Sequence, residues 1–491
     1  MSRFVDYLNQ TAARLPDKLA FSDGETSFTF WELRQAAGAI GEALHQAGAA
    51  GEAVALCMGR SPRFVAAFLG VLAAGSCAVP LDMQAPRDRL KAMGERVSPR
   101  FALCEEGTQA LTQSLFPSSC ILSYETAAAG AFFGPLGKRT SGDGLAYIVF
   151  TSGSTGVPKA VAVRESSLMD YAAALPEAVG FCEGSVFGCQ APLYMDAWLK
   201  ELIGAVVKGG SVYLLPPELF VQPLTLVQRL NAWGINTLCW VSSALSLVSR
   251  FRTFDTAVPE GLELVCFGGE PLSPRQLNRW MAACPKARFF QLYGPTECTG
   301  MSFYYAVPGP VPEGASIPLG RPFAGTTAYV LDEQGRPARE GEIYIGGPCV
   351  MAGYYGDEEL TRRVLQVDPV NTASGRTFYA TGDLARYDEE GNLLFLGRRD
   401  RQIKHLGHRV ELDELERAAL QLKGVEACAS TYDHDRGRLC LQYVGAASVQ
   451  EVKLGLQQRL PGYMVPSRLV QVPTLPRLPN GKIDRNKLRE E

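Results

Sequence analysis

The sequence predicts an α/β protein. It has a large N-terminal domain of layered α/β subdomains plus an antiparallel β subdomain, and a small α+β C-terminal domain. Three observations lead there. A chain of 491 residues is too long for one hydrophobic core, and 46% hydrophobic with 20% charged residues is the composition of a folded globular protein. Strand-like apolar runs alternate with amphipathic helical periods, the pattern of largely parallel sheets covered by helices. Around Thr326–Gly347 that alternation gives way to short strands about a polar turn, and beyond Gly397–Arg401 to a helix followed by strands.

Taken in order, Val54–Met58, Ser76–Pro80, Leu145–Thr151, Ser211–Leu215, Thr237–Val241 and Leu262–Gly268 read as strands. Pro62–Ala74, Leu199–Val207 and Pro274–Ala283 read as helices. Phe64–Leu81 carries no charge over 18 residues, the lower limit for a membrane span. Gly70, Gly75, Ser76 and Pro80 interrupt it, so it reads as a buried helix ending near Gly75 and then a strand. Thr327–Asp332 and Gly341–Ile345 flank the turn Glu333–Gly335 and predict antiparallel strands. The polar run Gly397–Arg401 marks a boundary, after which Glu411–Leu422 reads as a helix and Ala427–Tyr432 and Leu439–Val444 as strands.

The net charge of −3 offers no basic excess for nucleic acid or an anionic membrane. The 13 cysteines form no CxxC pair, and His45, His405, His408 and His434 have no metal-ligand spacing with them, so no zinc site is expected. The odd cysteine count and an N-terminus interrupted by Asp6 and Arg14 lead to the expectation of reduced thiols and a cytoplasmic protein.

The strongest local signal is Thr151-Ser152-Gly153-Ser154-Thr155-Gly156-Val157-Pro158-Lys159, which follows a strand. Glycines let backbone N–H groups approach an anion, and hydroxyls and a lysine add donors, so the loop suits phosphate. Its glycines are too close together for a Walker loop. This segment closely resembles the phosphate-binding signature of the adenylate-forming superfamily, which includes acyl-CoA synthetases, luciferases, non-ribosomal peptide synthetase adenylation domains and D-alanine:carrier-protein ligases. Further motifs in the same order extend the resemblance along nearly the whole chain.

The resemblance implies a set of roles. ATP binds at Thr151, Ser152, Gly153, Ser154, Thr155, Gly156 and Lys159, with Gly269, Glu270, Gln291, Tyr293, Gly294, Asp383 and Arg398. In Tyr293-Gly294-Pro295-Thr296-Glu297, Tyr293 lies against adenine, Thr296 contacts the α-phosphate and Glu297 binds Mg²⁺. Asp383 accepts from the ribose hydroxyls, and Arg398 contacts the ribose. An ionised carboxylate, an acceptor only, suits a diol. Residues 1–397 form the adenylation core, including a β-barrel-like subdomain, 398–401 a hinge about Asp400, and 402–491 the mobile domain. In that domain Gln402-Ile403-Lys404 and Gly407–Glu411 reach the site after rotation, and Pro479-Asn480-Gly481-Lys482 carries the catalytic lysine, Lys482. His405 and His408 are read as solvated or capping side chains.

The resemblance further implies activation of a carboxylate as an acyl-AMP, and Asp196 favours an amino acid, because a buried carboxylate asks for a cation such as an α-ammonium. A helix N-cap is the structural alternative for Asp196. Other substrate-pocket candidates are Ala197, Lys200, Cys266, Gly268, Leu292, Gly300 and Met301, with one wall near Trp240 or Val241. Lys200 leaves two readings open: an ammonium that calls for an acidic substrate, or one that snorkels to solvent. A small pocket for alanine stays open as well. No phosphopantetheine attachment motif or carrier domain is present, so transfer to a separate carrier protein is expected. The rival readings are an acyl- or aryl-CoA ligase and a catalytically silent nucleotide-binding homologue.

Overall fold

The computed structural model describes residues 3–137, 143–153, 157–433, 436–477, 483–485 and 487–489. The chain forms two compact units. The larger comprises Met1–Leu81, Val97–Val149 and Val161–Arg399, and the smaller comprises Asp82–Arg96, Phe150–Ala160 and Asp400–Glu491.

In the larger unit, helix Pro62–Ala74 begins where Ser61 Oγ accepts the Phe64 N–H, has Pro62 in its first turn and stops at Gly75. All its residues except Arg63 are buried. The strand that follows, Cys77–Pro80, is also wholly buried. The charge-free stretch is thus interior to a sheet-and-helix layer. Among the described residues no helix is long and apolar enough to cross a membrane.

Cys77–Pro80 belongs to a seven-stranded sheet in the spatial order Gly353–Tyr354, Lys159–Arg164, Leu145–Thr151, Cys77–Pro80, Ala53–Cys57, Phe101–Cys104, Cys120–Ser123. A second sheet of nine strands has a parallel centre: Arg288–Tyr293, Leu264–Gly268, Thr237–Val241, Val186–Cys189, Ser211–Leu214 and Leu19–Ser22. Antiparallel strands flank it on both sides. The register sets Cys239 beside Cys266 and Gly268 beside Leu292. Alternation along these strands divides the side chains between two cores, with Cys239, Cys266 and Leu292 in one and Leu238, Trp240, Val265 and Phe267 in the other. Gly268 and Tyr293 end adjacent parallel strands, and ligands of open α/β sheets gather at such carboxyl ends.

The expected antiparallel subdomain is a five-stranded sheet. Thr327–Leu331, Glu340–Gly346, Thr377–Tyr387 and Leu365–Val367 lie side by side, and Leu393–Arg398 also pairs with Thr377–Tyr387.

The smaller unit pairs Gln402–His405 with His408–Glu411 in a hairpin, then packs helix Leu412–Leu420 on a three-stranded sheet of Val425–Asp433, Arg438–Gly445 and Arg468–Gln471. Its own core includes Val410, Leu415, Leu441 and Tyr443. Glu416 ties its segments together by accepting from Arg485 Nη1 and Nη2 at 2.6 and 2.9 Å and from Arg401 Nη2 at 2.8 Å. Burial alone would raise this carboxyl, but the hydrogen bonds from Arg485, Arg401 and Ser430 outweigh it and hold the group at about 2, against 4.5 ordinarily. A depressed carboxylate stabilises the fold above its ordinary pKa, and that stability is lost as pH falls from about 4.5 towards 2. Glu416→Gln is therefore expected to destabilise this unit at neutral pH, with the gap from the parent closing near pH 2. Unfolding midpoints of both proteins across that range check it, and a gap that does not depend on pH contradicts it.

Candidate active site

Asp383 sits in strand Thr377–Tyr387 directly opposite Arg398 of the neighbouring strand. One carboxylate oxygen accepts from Arg398 Nη1 and the other from the Tyr293 hydroxyl. The Asp383 N–H donates to Thr381 Oγ1 at 3.0 Å, which fixes the local backbone. Asp383 and Tyr293 are both buried. Burial first, and then the Asp383 charge, push the Tyr293 phenol far above its ordinary value, so it stays a donor. The result is an oriented, ionic acceptor beside an aromatic ring at the end of a parallel strand. Such a group suits a pair of hydroxyls.

The other nucleotide candidates of this unit lie close by in sequence and are tied into the backbone. Gly269 and Glu270 follow strand Leu264–Gly268, and Glu270 Oε1 accepts from the Ser243 N–H at 2.8 Å. Gln291 is buried and donates to the Ile317 carbonyl at 3.3 Å. Gly294 packs against the Gly300 carbonyl, where a Cβ would approach to 2.5 Å.

Thr296–Cys298 forms one short turn of 3₁₀ helix after Pro295. It aims Glu297 inward, fully buried, where Oε1 accepts from the Tyr354 hydroxyl at 2.7 Å. No cluster of three or more acidic, His or Cys side chains able to hold a metal exists among the described residues. A single buried carboxylate, a hard oxygen donor, fits a cation that takes most of its ligands from phosphate oxygens and water, as Mg²⁺ does, rather than a metal caged by protein alone.

The Thr296 hydroxyl lies near enough to Asp196 to lower its carboxyl. Asp196 is buried, and burial pushes its carboxyl up against the opposing effects of Thr296 and Lys200. It is not a helix cap. Helix Leu199–Lys208 has Trp198 in the cap position, and Asp196 contributes only its backbone carbonyl, to the Leu199 N–H. The segment is anchored by Trp198, whose ring meets Phe64 and Phe68 edge-on at 6.1 and 5.2 Å.

Around Asp196, Ala197 packs on the larger core, and Cys266 and Leu292 are buried on the same sheet face. Cys266 lies directly beside Cys239 of the neighbouring strand. At Gly268 a Cβ would lie 2.1 Å from the Leu292 carbonyl, so only glycine fits this close approach. Gly300 has φ +83°, and a Cβ there would lie 3.4 Å from the Tyr171 hydroxyl. Met301 is half-buried against the same core. Lys200 is buried and donates to the Ala197 carbonyl, so the solvent-snorkelling alternative does not hold. The wall position near Trp240 is also corrected. That indole faces the other core, stacks edge-on against Trp280 at 6.2 Å and donates to the Gly188 carbonyl at 2.7 Å, leaving Cys239 on the Asp196 side. Glu201, Tyr147, Tyr171 and Tyr354 complete the surroundings and were not picked out by motif. The signal for Glu201 is a charge inside an otherwise apolar helical turn.

In the smaller unit, Thr151 ends its strand and Ser152 Oγ donates to the Arg409 carbonyl at 2.8 Å. The Gly153 N–H donates to Glu414 at 3.3 Å, and Lys159 pairs with Glu411 at 3.2 Å. Backbone amide and lysine thus already meet anionic oxygens, the chemistry a phosphate needs. Ser154, Thr155, Gly156 and Lys482 lie outside the described residues. Asp400 accepts from the Gln402 N–H at 3.2 Å. His405 is not solvated, and His408 is only partly so. His405 is buried, and His408 stacks on Tyr463 at 3.7 Å and is pushed down to about 4 by burial.

A family model described as "AMP-binding enzyme" matches residues 8–355. One plipastatin synthase subunit of Bacillus subtilis (strain 168) is 33% identical over 488 residues, which covers 97% of this chain and 19% of that protein. The chain thus spans about a fifth of that relative's length. The structure of holo-PA1221, an NRPS protein containing adenylation and PCP domains, is 28% identical with a TM-score of 0.86, covering 99% of this chain and 84% of that one. The amide bond synthetase McbA from Marinactinospora thermotolerans shares the fold, with a TM-score of 0.87 at 22% identity and 99% of each chain covered.

A buried carboxyl raised above its ordinary pKa weakens the fold at every pH where it is ionised, and that cost fades as pH falls through its folded value. Asp196→Asn is accordingly expected to raise the unfolding midpoint at pH 8, by roughly 1 kcal/mol of stability. Thermal unfolding of parent and variant checks this, and a lowered midpoint contradicts it.

Proposed function

We propose that this chain, which belongs to the AMP-binding enzyme family, activates the carboxylate of an amino acid as an aminoacyl-AMP, releases pyrophosphate, and passes the aminoacyl group to the phosphopantetheine thiol of a carrier protein. The observation that carries the amino-acid part is Asp196: a buried carboxylate, raised by burial, with the Thr296 hydroxyl and the Lys200 cation acting on it. Lys200 acts on it through charge and forms no ion pair with it, so an α-ammonium would supply a directly bonded cation. The fused adenylation and PCP domains of holo-PA1221 support a carrier as acceptor.

In this reading Asp383 holds the ribose hydroxyls, oriented by Arg398 and Tyr293, and the Tyr293 ring lies against adenine. The loop Thr151–Lys159 takes the phosphates. Glu297 would hold Mg²⁺, which when bound would supply positive charge at the phosphates. Asp196 fixes the ammonium so that the neighbouring carboxylate faces the α-phosphorus, and the Thr296 hydroxyl, replaced at Asp196 by the ammonium, turns to donate to that phosphate. The carboxylate oxygen forms the new P–O bond as the bond to pyrophosphate breaks. Lys482 supplies a positive charge to the developing oxyanions. Most of the acceleration is positioning and charge stabilisation. The change of compact unit between Arg399 and Asp400 supports a hinge there, with residues 402–491 turning to admit the thiol. A reducing, cytoplasmic setting suits the free thiols.

Amino-acid-dependent exchange of pyrophosphate into ATP tests this. Exchange is expected with one class of amino acid, and Lys482→Ala is expected to lower its rate by about 10²–10³-fold. Asp196→Ala is expected to abolish the advantage of an amino acid over the corresponding acid without an amino group. Exchange supported only by acids lacking an amino group contradicts the proposal.

A further inference from the structure

We infer that the activated amino acid carries a neutral side chain with both an acceptor and a donor, a carboxamide of the asparagine or glutamine class, held between Lys200 and Glu201. This rests on the amino-acid reading above and narrows it.

Helix Leu199–Lys208 is apolar except for its terminal lysine and the adjacent pair Lys200–Glu201 near its start. Both members of the pair are buried, and Glu201 is wholly inaccessible. Neither Glu201 oxygen has a hydrogen-bond partner of normal geometry. Folded proteins rarely leave a buried carboxylate unanswered, and one that is left so marks a place where a ligand completes the bonding. The Tyr147 and Tyr171 hydroxyls are likewise buried without partners. The Tyr171 phenol lies within electrostatic reach of Asp196, Cys239, Tyr147 and Glu201, and its hydroxyl faces Gly300. These orphaned polar atoms thus gather on the side of the sheet that carries Cys239 and Cys266.

The charges around Glu201 already balance. Two cations act on it, Lys200 and Arg60. The Arg60 guanidinium is spent on the carbonyls of Cys189, Leu215 and Ala191 at 2.8, 3.0 and 3.4 Å. Lys200 uses one of its N–H groups on Ala197 and retains others. Against these two cations stand Asp196 and Glu201. The substrate's own ammonium and carboxylate also cancel. A charged side chain would therefore leave net charge in a dry pocket, and an apolar one would leave the Glu201 oxygens unpaired. A carboxamide does neither, because its carbonyl accepts from Lys200 and its NH₂ donates to Glu201. Burial pushes the Glu201 carboxyl up to about 7, against the lowering by Lys200, its own backbone N–H and Arg60. The acidic substrate that Lys200 alone suggested is thus disfavoured by the residue next to it.

The experiment is pyrophosphate exchange by the full chain with asparagine, glutamine, aspartate, glutamate, ornithine, alanine, leucine and the corresponding acids without an amino group. Asparagine or glutamine is expected to exceed its acidic counterpart by about tenfold or more. Glu201→Gln is expected to lower the amide-to-acid ratio by about tenfold, since the new amide donates to a carboxylate and Lys200 is left unopposed. Lys200→Met is expected to move the preference towards ornithine. Ratios within one variant are insensitive to how much of it folds. A preference for an acidic, cationic or apolar amino acid, or a ratio unchanged in Glu201→Gln, overturns this inference and leaves the amino-acid reading standing. Exchange only with acids lacking an amino group overturns both.

Discussion

A carboxylate removed from water must be met by donors or by a cation, or it costs several kcal/mol. The larger unit buries four of them near the ends of its parallel strands, and how each is answered decides what the site can do. Asp383 is answered from within, by Tyr293 and Arg398, and is therefore rigid before any ligand arrives. Asp196 is answered in part, by Thr296. Glu297 has the Tyr354 hydroxyl on one oxygen. Neither Glu201 oxygen has a hydrogen-bond partner of normal geometry. The sheet topology makes this possible by burying the strand ends beneath helices that carry both the anchors and the charges. Trp198 is such an anchor, fixing the segment between Asp196 and Lys200 to the neighbouring helix.

In the proposed function, Asp196 and Glu201 are the members that a ligand completes. Stability and function pull against each other at such groups, because the interaction that would quiet the carboxylate in the free protein is the one the ligand must supply. The phosphate loop follows the same principle with the sign reversed. Its amide and lysine are donors in need of anions, and in the smaller unit Glu414 and Glu411 provide them. A polyphosphate would compete for the same groups.

Much of this was legible in the sequence where local signals are strong. Ser61-Pro62 and Ser273-Pro274 set the starts of two helices, and both span the residues expected, Pro62–Ala74 and Pro274–Ala283. Strand ends moved by a residue or two, since nothing but fading polarity marks them. The face of a strand was less legible. Thr237–Val241 is apolar beyond its first residue, so its sequence left open whether the wall position fell at Trp240 or Val241 and did not point to Cys239. Long-range partners were not legible either. His408 read as solvated because nothing nearby in sequence announces the Tyr463 ring that covers it. Glu201 was passed over because its meaning lies in what it lacks, which only the packed structure reveals.

The central claim is that a substrate carboxylate attacks the α-phosphorus of ATP. The direct measurement is to supply the amino acid with heavy oxygen in its carboxylate, let the enzyme turn over with hydroxylamine as acceptor, and weigh the nucleotide by mass spectrometry. AMP carrying one heavy oxygen is the predicted result, because the attacking oxygen stays with phosphorus when the acyl group leaves. Unlabelled AMP, or label in ADP or inorganic phosphate, would contradict the account.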